Sequence, residues 1–183
     1  MSIADEKKII RTEIRSMKGL LRAEEKAAAT AKALEKLEQQ DFFITAQTVL
    51  LYWSLPDEVP TQAFAEKWAM EKIILLPAIV GDKLEARLFT SKQDMETGSF
   101  GIVQPIGEAF TGKIDLAIIP GLAFDKNGYR VGRGKGFYDR FLADFSGIKC
   151  GLCYDFQLLE QVPHEGFDIP MNVIVTENEV IQV

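Results

Sequence analysis

Short apolar segments alternate along this chain with segments of helical character, and this alternation restricts the possible folds more than any other feature. Residues 48–53 predict a buried strand, residues 60–70 a helix and residues 72–77 a second strand. A strand, a helix and a strand within about thirty residues is the pattern of a βαβ crossover, which makes its two strands parallel. The sequence therefore predicts a sheet that is covered by helices.

A second unit of the same kind follows. Residues 114–120 and 148–154 predict two more buried strands, separated by a glycine-rich loop and a helix of about residues 136–144. The remaining predicted elements are two N-terminal helices (residues 5–21 and 23–40), a weaker strand (84–89) and a closing pair of strands (172–176 and 179–183). We expect a single α/β domain over residues 1–183, a three-layer sandwich whose mainly parallel central sheet is flanked by helices, with an N-terminal helical pair.

Composition and charge exclude several classes of protein. With 183 residues, of which 47% are hydrophobic, the chain can bury the core of one domain. Its net charge of -6 argues against general binding to nucleic acid or to a membrane surface. No apolar run approaches the roughly 20 residues that span a bilayer, and residues 1–8 lack the apolar region of a signal peptide. We expect a cytoplasmic protein without an obligate protein partner.

Cys150 and Cys153 form a C-x-x-C, a spacing compatible with redox activity or with half of a metal site. Residues three apart on a strand point to opposite faces of a sheet, so these thiols are poorly placed to share a metal. His164 is the only histidine, which also argues against a structural zinc site. We interpret the cysteines as buried thiols and His164 as a surface residue.

The segment from Asp125 to Arg140 concentrates positive charge, with five basic residues against two acidic ones. Four glycines alternate with the bases, and glycine lets a backbone approach a ligand closely and take positive φ. With the N-terminus of the following helix, they predict a cradle for the phosphates of a nucleotide triphosphate. Asp139 could hold Mg²⁺ or pair with a neighbouring arginine. The alternative is a basic surface turn, since the segment matches neither a Walker A loop nor G-x-G-x-x-G.

The same segment resembles a known family. Residues 120–125 (PGLAFD) and 130–140 (RVGRGKGFYDR) are similar to the signature of the 5-formyltetrahydrofolate cyclo-ligases, also called methenyltetrahydrofolate synthetases. The resemblance extends over essentially the whole chain and includes residues 7–11, 52–58 and 162–168. It implies a three-layer α/β fold and the ATP- and Mg²⁺-dependent conversion of 5-formyltetrahydrofolate to 5,10-methenyltetrahydrofolate, with release of ADP and phosphate.

The resemblance also implies roles for individual residues. Arg133 and Lys135 would be catalytic, and Trp53 and Glu58 would bind the folate together with residues 133–137. Asp139 and Asp168 would hold Mg²⁺. The residues expected to bind ATP are Lys7, Lys8, Arg11, Arg130, Gly132, Arg133, Gly134, Lys135, Gly136, Phe137 and Tyr138.

Two positions depart from the family pattern, and they place two roles in doubt. Phe137 stands where many members have a tyrosine, so it loses a hydroxyl but keeps an aromatic ring. Asn172 stands where an aspartate is common, so it keeps an acceptor oxygen but loses negative charge. Neither position belongs to the glycines and bases of the cradle.

The predicted first helix carries an apolar stripe of Ile10, Ile14, Met17 and Leu21 and, beside it, a basic stripe of Lys7, Arg11, Arg15, Lys18 and Arg22. Without the resemblance, the basic stripe is interpreted as a solvated face. Lys7 and Arg11 lie four residues apart on one helical face, where both could reach a single anion. Arg15 and Lys18 are interpreted as surface residues that pair with nearby acids.

The hypothetical reaction is attack of the formyl oxygen on the γ-phosphate, followed by ring closure through N10. It needs positioning and neutralisation of charge and no protein nucleophile, which agrees with the lack of an evident hydrolytic triad. Two alternatives use the same loop: a small-molecule kinase, whose phosphorylated product would persist, and a nucleotide sensor, which would bind ATP without turnover.

Overall fold

A computed structural model describes residues 1–183. The helices are α1 (Ile3–Leu20), α2 (Ala23–Glu38), α3 (Asp41–Thr45), α4 (Gln62–Trp68) and α5 (Phe137–Leu142). The strands are β1 (Thr48–Leu50), β2 (Ile73–Val80), β3 (Lys83–Leu88), β4 (Met95–Thr97), β5 (Val103–Pro105), β6 (Leu116–Ile119), β7 (Ala123–Asp125), β8 (Arg130–Val131), β9 (Ile148–Leu152), β10 (Leu158–Leu159), β11 (Val173–Val175) and β12 (Val180–Gln182).

The main sheet has seven strands in the order β12-β11-β9-β6-β1-β2-β3. The inner strands β11, β9, β6, β1 and β2 run parallel, whereas β12 and β3 pair antiparallel at the two edges. Every residue of β6 is buried, as expected for a central strand that is covered on both faces. The predicted α/β fold with a mainly parallel central sheet is confirmed.

Separate apolar cores cover the two faces of this sheet. One core joins residues of α2, α3 and α4 to β1, β2 and β6, and the other joins α5 to the opposite face of the same strands. Cys150 lies in the first core and Cys153 in the second, and both thiols are free and buried. The interpretation of the cysteines as buried thiols that point to opposite faces of the sheet agrees with this placement.

A smaller sheet of three strands, β10-β7-β8, carries the N-terminal helix. Ile14 of α1 is buried against Leu122, Ala123, Val131 and Val162 in a third apolar core. This packing holds α1 above the loop that follows β8. Neither the small sheet nor the β4-β5 hairpin is predicted from the sequence, because their strands have only two or three residues each.

The orientation of α1 corrects the interpretation of its basic stripe as a solvated face. Lys7 is 8% exposed and the side chain of Lys18 is 6% exposed, whereas Met17 of the apolar stripe is 43% exposed. The buried face of α1 is thus rotated toward the basic stripe, and the long side chains of its lysines extend into the protein. Arg15 is exposed, as expected, but it does not form the predicted ion pair with an acid.

Two further features qualify the predictions. The helix expected over residues 136–144 is shorter, Phe137–Leu142, so its dipole adds little to an anion site. His164 is exposed, as predicted, and its ring stacks on Tyr129 with centroids 3.6 Å apart. No helix combines the length and the apolar character needed to cross a membrane.

Candidate active site

A cavity of about 740 Å³ opens at the carboxyl ends of the two central strands β1 and β6. Tyr52 and Trp53, which follow β1, and Pro120 and Gly121, which follow β6, line it. The chain leaves β1 toward β2 on one side and leaves β6 toward β9 on the other, so a crevice forms between the two strands. Open α/β sheets usually bind ligands at such a switch point. The cavity also reaches α1 and the turn at residues 165–168.

The loop of residues 132–136 forms one wall of the cavity. No backbone N–H of these five residues donates a hydrogen bond within the protein. Their carbonyl groups are held from behind, since Arg11 Nε donates to Gly132 O (2.8 Å) and Arg140 Nη1 donates to Lys135 O (3.1 Å). Free N–H groups on a loop whose carbonyls are anchored elsewhere form an anion cradle.

The local sequence shapes this loop. Asp125 is fully buried, and its carboxylate accepts hydrogen bonds from the backbone N–H groups of Asn127, Tyr129 and Val162. It thereby fixes the β7-β8 turn that precedes the cradle. Gly134 has φ +92°, a conformation that side chains disfavour, so a glycine is required there.

Arg133 is held by two carboxylates at the edge of the cavity. Its guanidinium donates to Asp57 Oδ1, and to Glu58 Oε1 at 3.2 Å from Nη2 and 3.3 Å from Nε. Glu58 is only 9% exposed, and its other oxygen accepts the backbone N–H of Leu55 at 2.8 Å. Burial acts to raise the pKa of Asp57, but the hydrogen bond and charge of Arg133, with the charge of Lys18, lower it.

Both carboxylates predicted to hold Mg²⁺ line the cavity, and both already pair with a base. Lys7 Nζ donates to Asp168 Oδ2 at 2.5 Å, and Arg130 Nη1 donates to Asp139 Oδ1 at 2.9 Å. The other oxygen of each, Asp168 Oδ1 and Asp139 Oδ2, accepts no hydrogen bond from the protein. Free carboxylate oxygens that face a phosphate site suit Mg²⁺, which takes one or two carboxylates and phosphate oxygens. The structure contains no group of three or more carboxylate, thiol or imidazole side chains that could hold a metal ion, so phosphate oxygens would have to complete such a site.

Aromatic side chains line the rest of the cavity. Trp53 is half-buried, and its ring centroid lies 5.6 Å from that of Phe89. Phe100, on the loop between β4 and β5, is 64% exposed and lies 4.7 Å from Lys135 Nζ and 6.1 Å from the Phe137 ring. Phe167 is also exposed into the cavity. The sequence analysis did not single out Phe100 or Phe167.

Of the residues predicted to form the site, all but one line this single cavity. The exception is Lys8, which is exposed and does not line it. At the two positions that depart from the family pattern, Phe137 lines the cavity, whereas Asn172 lies outside it. The side-chain oxygen of Asn172 accepts the backbone N–H of Lys149 at 2.9 Å, so Asn172 joins β9 to the strand β11 that it precedes.

Lys18 does not line the cavity, and its burial is a clear departure from the surface position predicted from the sequence. Its Nζ is buried, has no hydrogen-bond partner and lies 3.7 Å from Asp57 Oδ2. Burial lowers the pKa of Lys18, and the charges of Asp57 and Glu58 offset only part of this effect. Its ion pair with an acid was predicted, but its position is interior and not on the surface.

Comparison with known proteins agrees with this geometry. A model of the 5-formyltetrahydrofolate cyclo-ligase family matches residues 3–177. A 5-formyltetrahydrofolate cyclo-ligase of Haemophilus influenzae is 33% identical over 177 residues, which cover 88% of this chain and 92% of the relative. One from Escherichia coli K12 is 29% identical, with coverage of 91% and 98%.

A solved structure shares the fold. The 5,10-methenyltetrahydrofolate synthetase of Aquifex aeolicus, determined by NMR, superposes with a TM-score of 0.87 at 33% identity. The superposition covers 96% of this chain and 92% of that one.

Proposed function

Because the chain belongs to the 5-formyltetrahydrofolate cyclo-ligase family and is thus an enzyme, we propose that its main cavity converts 5-formyltetrahydrofolate to 5,10-methenyltetrahydrofolate with ATP as co-substrate. The reaction uses two substrates, and a cavity of about 740 Å³ lies within the range of small-molecule sites. Its walls combine a basic glycine loop with an aromatic surface, which suits a polyphosphate and a ring system.

The run of free backbone N–H groups over residues 132–136 carries the proposal. These groups, with Arg133 and Lys135, would bind the β- and γ-phosphates of ATP and stabilise the charge that develops during transfer. Lys135 forms no ion pair in the structure, so its ammonium is available to a ligand. Lys7 and Arg11 of α1, which also line the cavity, would complete the site.

Mg²⁺ is a further part of the proposal. Asp139 Oδ2 and Asp168 Oδ1 would hold the ion, which when bound would partly neutralise the negative charge of the phosphate groups. Arg130 and Lys7 orient the two carboxylates by donating hydrogen bonds to their other oxygens. This arrangement leaves one free oxygen on each carboxylate for the metal.

The folate would lie beside Trp53 and Glu58. A carboxylate can accept two hydrogen bonds from neighbouring N–H groups of a pterin, and an indole ring offers a flat apolar surface. Glu58 Oε1 is occupied by Arg133 in the ligand-free structure. Binding of the folate would therefore accompany movement of Arg133 from Glu58 toward the phosphates.

The proposed chemistry needs no protein nucleophile. The formyl oxygen attacks the γ-phosphorus and ADP leaves, which makes that oxygen part of a good leaving group. N10 then bonds to the formyl carbon and loses its proton, the carbon–oxygen bond breaks, and phosphate departs with the electron pair. The protein contributes by aligning formyl oxygen and γ-phosphate and by neutralising charge through Arg133 and Lys135.

A direct assay tests the function. Enzyme at micromolar concentration is incubated with ATP, Mg²⁺ and 5-formyltetrahydrofolate while the absorbance of the methenyl product is followed. We expect product only when ATP is present, with one ADP and one phosphate released per ring closed. A persistent phosphorylated folate without ring closure would indicate a kinase instead. The cytoplasmic location and the action of residues 1–183 as one domain stay predictions.

A further inference from the structure

Arg133 cannot turn to a phosphate group without breaking its ion pairs with Asp57 and Glu58. In the ligand-free structure it pairs with Asp57 and Glu58, which are 32% and 10% exposed at their side chains. Uncompensated charge in a partly buried site is costly, so release of Arg133 opposes ATP binding. The folate offers donors to Glu58 under the proposed function, but it leaves Asp57 without a new partner.

Lys18 lies on the other side of the Asp57 carboxylate from Arg133. Its Nζ lies 3.7 Å from Asp57 Oδ2, whereas Arg133 binds Oδ1, so the two bases contact different oxygens of one carboxylate. Lys18 Nζ has no hydrogen-bond partner, although less than a tenth of its side chain is exposed. A shift of less than an ångström would bring it into hydrogen-bonding range of Asp57.

We propose that Lys18 is a positioning residue that takes over the charge of Asp57 when Arg133 turns from that carboxylate to the phosphates of the nucleotide. This inference rests on the proposed function only in that ATP is the ligand of the glycine loop. Lys18 is not placed to touch either substrate, because it does not line the main cavity and lies with Asp57 in a separate pocket. Its effect is to lower the free-energy cost of moving Arg133 from Asp57 to the phosphates of the nucleotide.

The free-energy cost of burying the Lys18 ammonium group distinguishes the proposed positioning role from a role in stabilising the fold. An ammonium group without hydrogen bonds is unfavourable in the interior, and buried ion pairs often stabilise a fold no more than apolar residues of similar size. Arg133 already compensates Asp57 in the ligand-free protein. Replacement of Lys18 by an apolar residue of similar length should therefore leave stability unchanged or raise it, while ATP binding weakens.

The test compares Lys18→Met with Arg15→Met, an exposed position on the same helix that forms no ion pair. Calorimetry gives the dissociation constant of Mg²⁺-ATP without folate, and urea denaturation gives the free energy of unfolding. We expect Lys18→Met to raise the dissociation constant about tenfold, equal to about 1.4 kcal/mol, without loss of stability. Lys18→Arg should restore most of the affinity, and Arg15→Met should change neither quantity.

A double-mutant cycle identifies the carboxylate involved. In an Asp57→Asn background the charge that Lys18 compensates is gone, so Lys18→Met should alter ATP affinity less than twofold. An unchanged affinity in Lys18→Met alone, a loss of stability or folding in it, or an undiminished effect in the Asp57→Asn background would overturn the inference. Turnover of 5-formyltetrahydrofolate by the wild-type enzyme is measured alongside. Turnover with an unaffected Lys18→Met variant would reject this role of Lys18 and leave the proposed function standing.

Discussion

Replacement of Asp139 by asparagine tests whether this carboxylate supports the fold apart from any metal. Asp139 accepts a hydrogen bond from Arg130 Nη1 at 2.9 Å, and the Arg130 side chain is only 4% exposed. At 2.9 Å and an effective dielectric constant of about 20, the attraction between unit charges is about 6 kcal/mol, an upper limit before desolvation is counted. Breaking a buried pair typically costs about 3–5 kcal/mol.

Asparagine keeps an acceptor for Arg130, and Asp139 itself is 21% exposed, so we expect Asp139→Asn to lose about 2–3 kcal/mol. For a chain of this length that corresponds to a fall in melting temperature of about 5–10 °C. Urea denaturation without ATP or Mg²⁺ measures the loss. The matched control is Asp144→Asn, two residues beyond α5, where the carboxylate is exposed and unpaired and the change should stay within about 0.5 kcal/mol.

The reasoning is refuted if Asp139→Asn is as stable as Asp144→Asn. A cycle with Arg130→Met sharpens the result, because Asp139→Asn should cost much less once the buried guanidinium is gone. The metal role is measured separately. If Asp139 Oδ2 holds Mg²⁺, the Mg²⁺ concentration for half-maximal turnover should rise in Asp139→Asn at a temperature where the variant is fully folded.

Three further outcomes are expected. Lys135→Ala should lower kcat/KM for ATP at least tenfold. Its free energy of unfolding should stay within about 0.5 kcal/mol of wild type, because Lys135 is exposed and forms no ion pair. A loss of stability large enough to explain the loss of activity would contradict its role as a ligand contact. Gly134→Ala should lower the free energy of unfolding in urea by about 1 kcal/mol or more and weaken ATP binding, because Gly134 has a φ of +92°. Gly132→Ala should leave stability unchanged, because a Cβ at Gly132 meets no atom within 4 Å. Equal stability of the two variants would refute this reasoning. Burial raises the pKa of Cys150 and Cys153, so their contribution to stability is present below the unfolded pKa of about 8.5 and is lost as pH rises beyond it. A thiol reagent at pH 8 should label neither in the folded protein and both in urea, and rapid labelling of the folded protein would show that they are accessible.

The strands of the main sheet were predictable because burial on both faces requires continuous apolar runs, as in Leu116–Ile119. The small sheet was not, because β10 has two residues and pairs with a strand far away in sequence. Short strands of this kind are formed by tertiary contacts and leave no periodic pattern.

The residues of the candidate site also differ in how far they could be predicted from the sequence. The glycines and bases of residues 132–136 are neighbours in the chain, so their placement together on one cavity wall could be predicted from the sequence. The burial of Lys18 could not, because lysine is usually exposed and the sequence does not show which stripe of α1 faces the small sheet. Phe100 was also missed, since a single aromatic in a polar segment carries no signal until the β4-β5 loop places it beside Lys135.

The bond between Lys7 and Asp168 joins positions 161 residues apart. During synthesis the basic face of α1 emerges long before the carboxylate that it binds. This part of the cavity wall is therefore closed late, by a contact of very long sequence separation that forms slowly. Fragments that stop short of residue 168 lack the partner of Lys7 and should leave this wall of the cavity open.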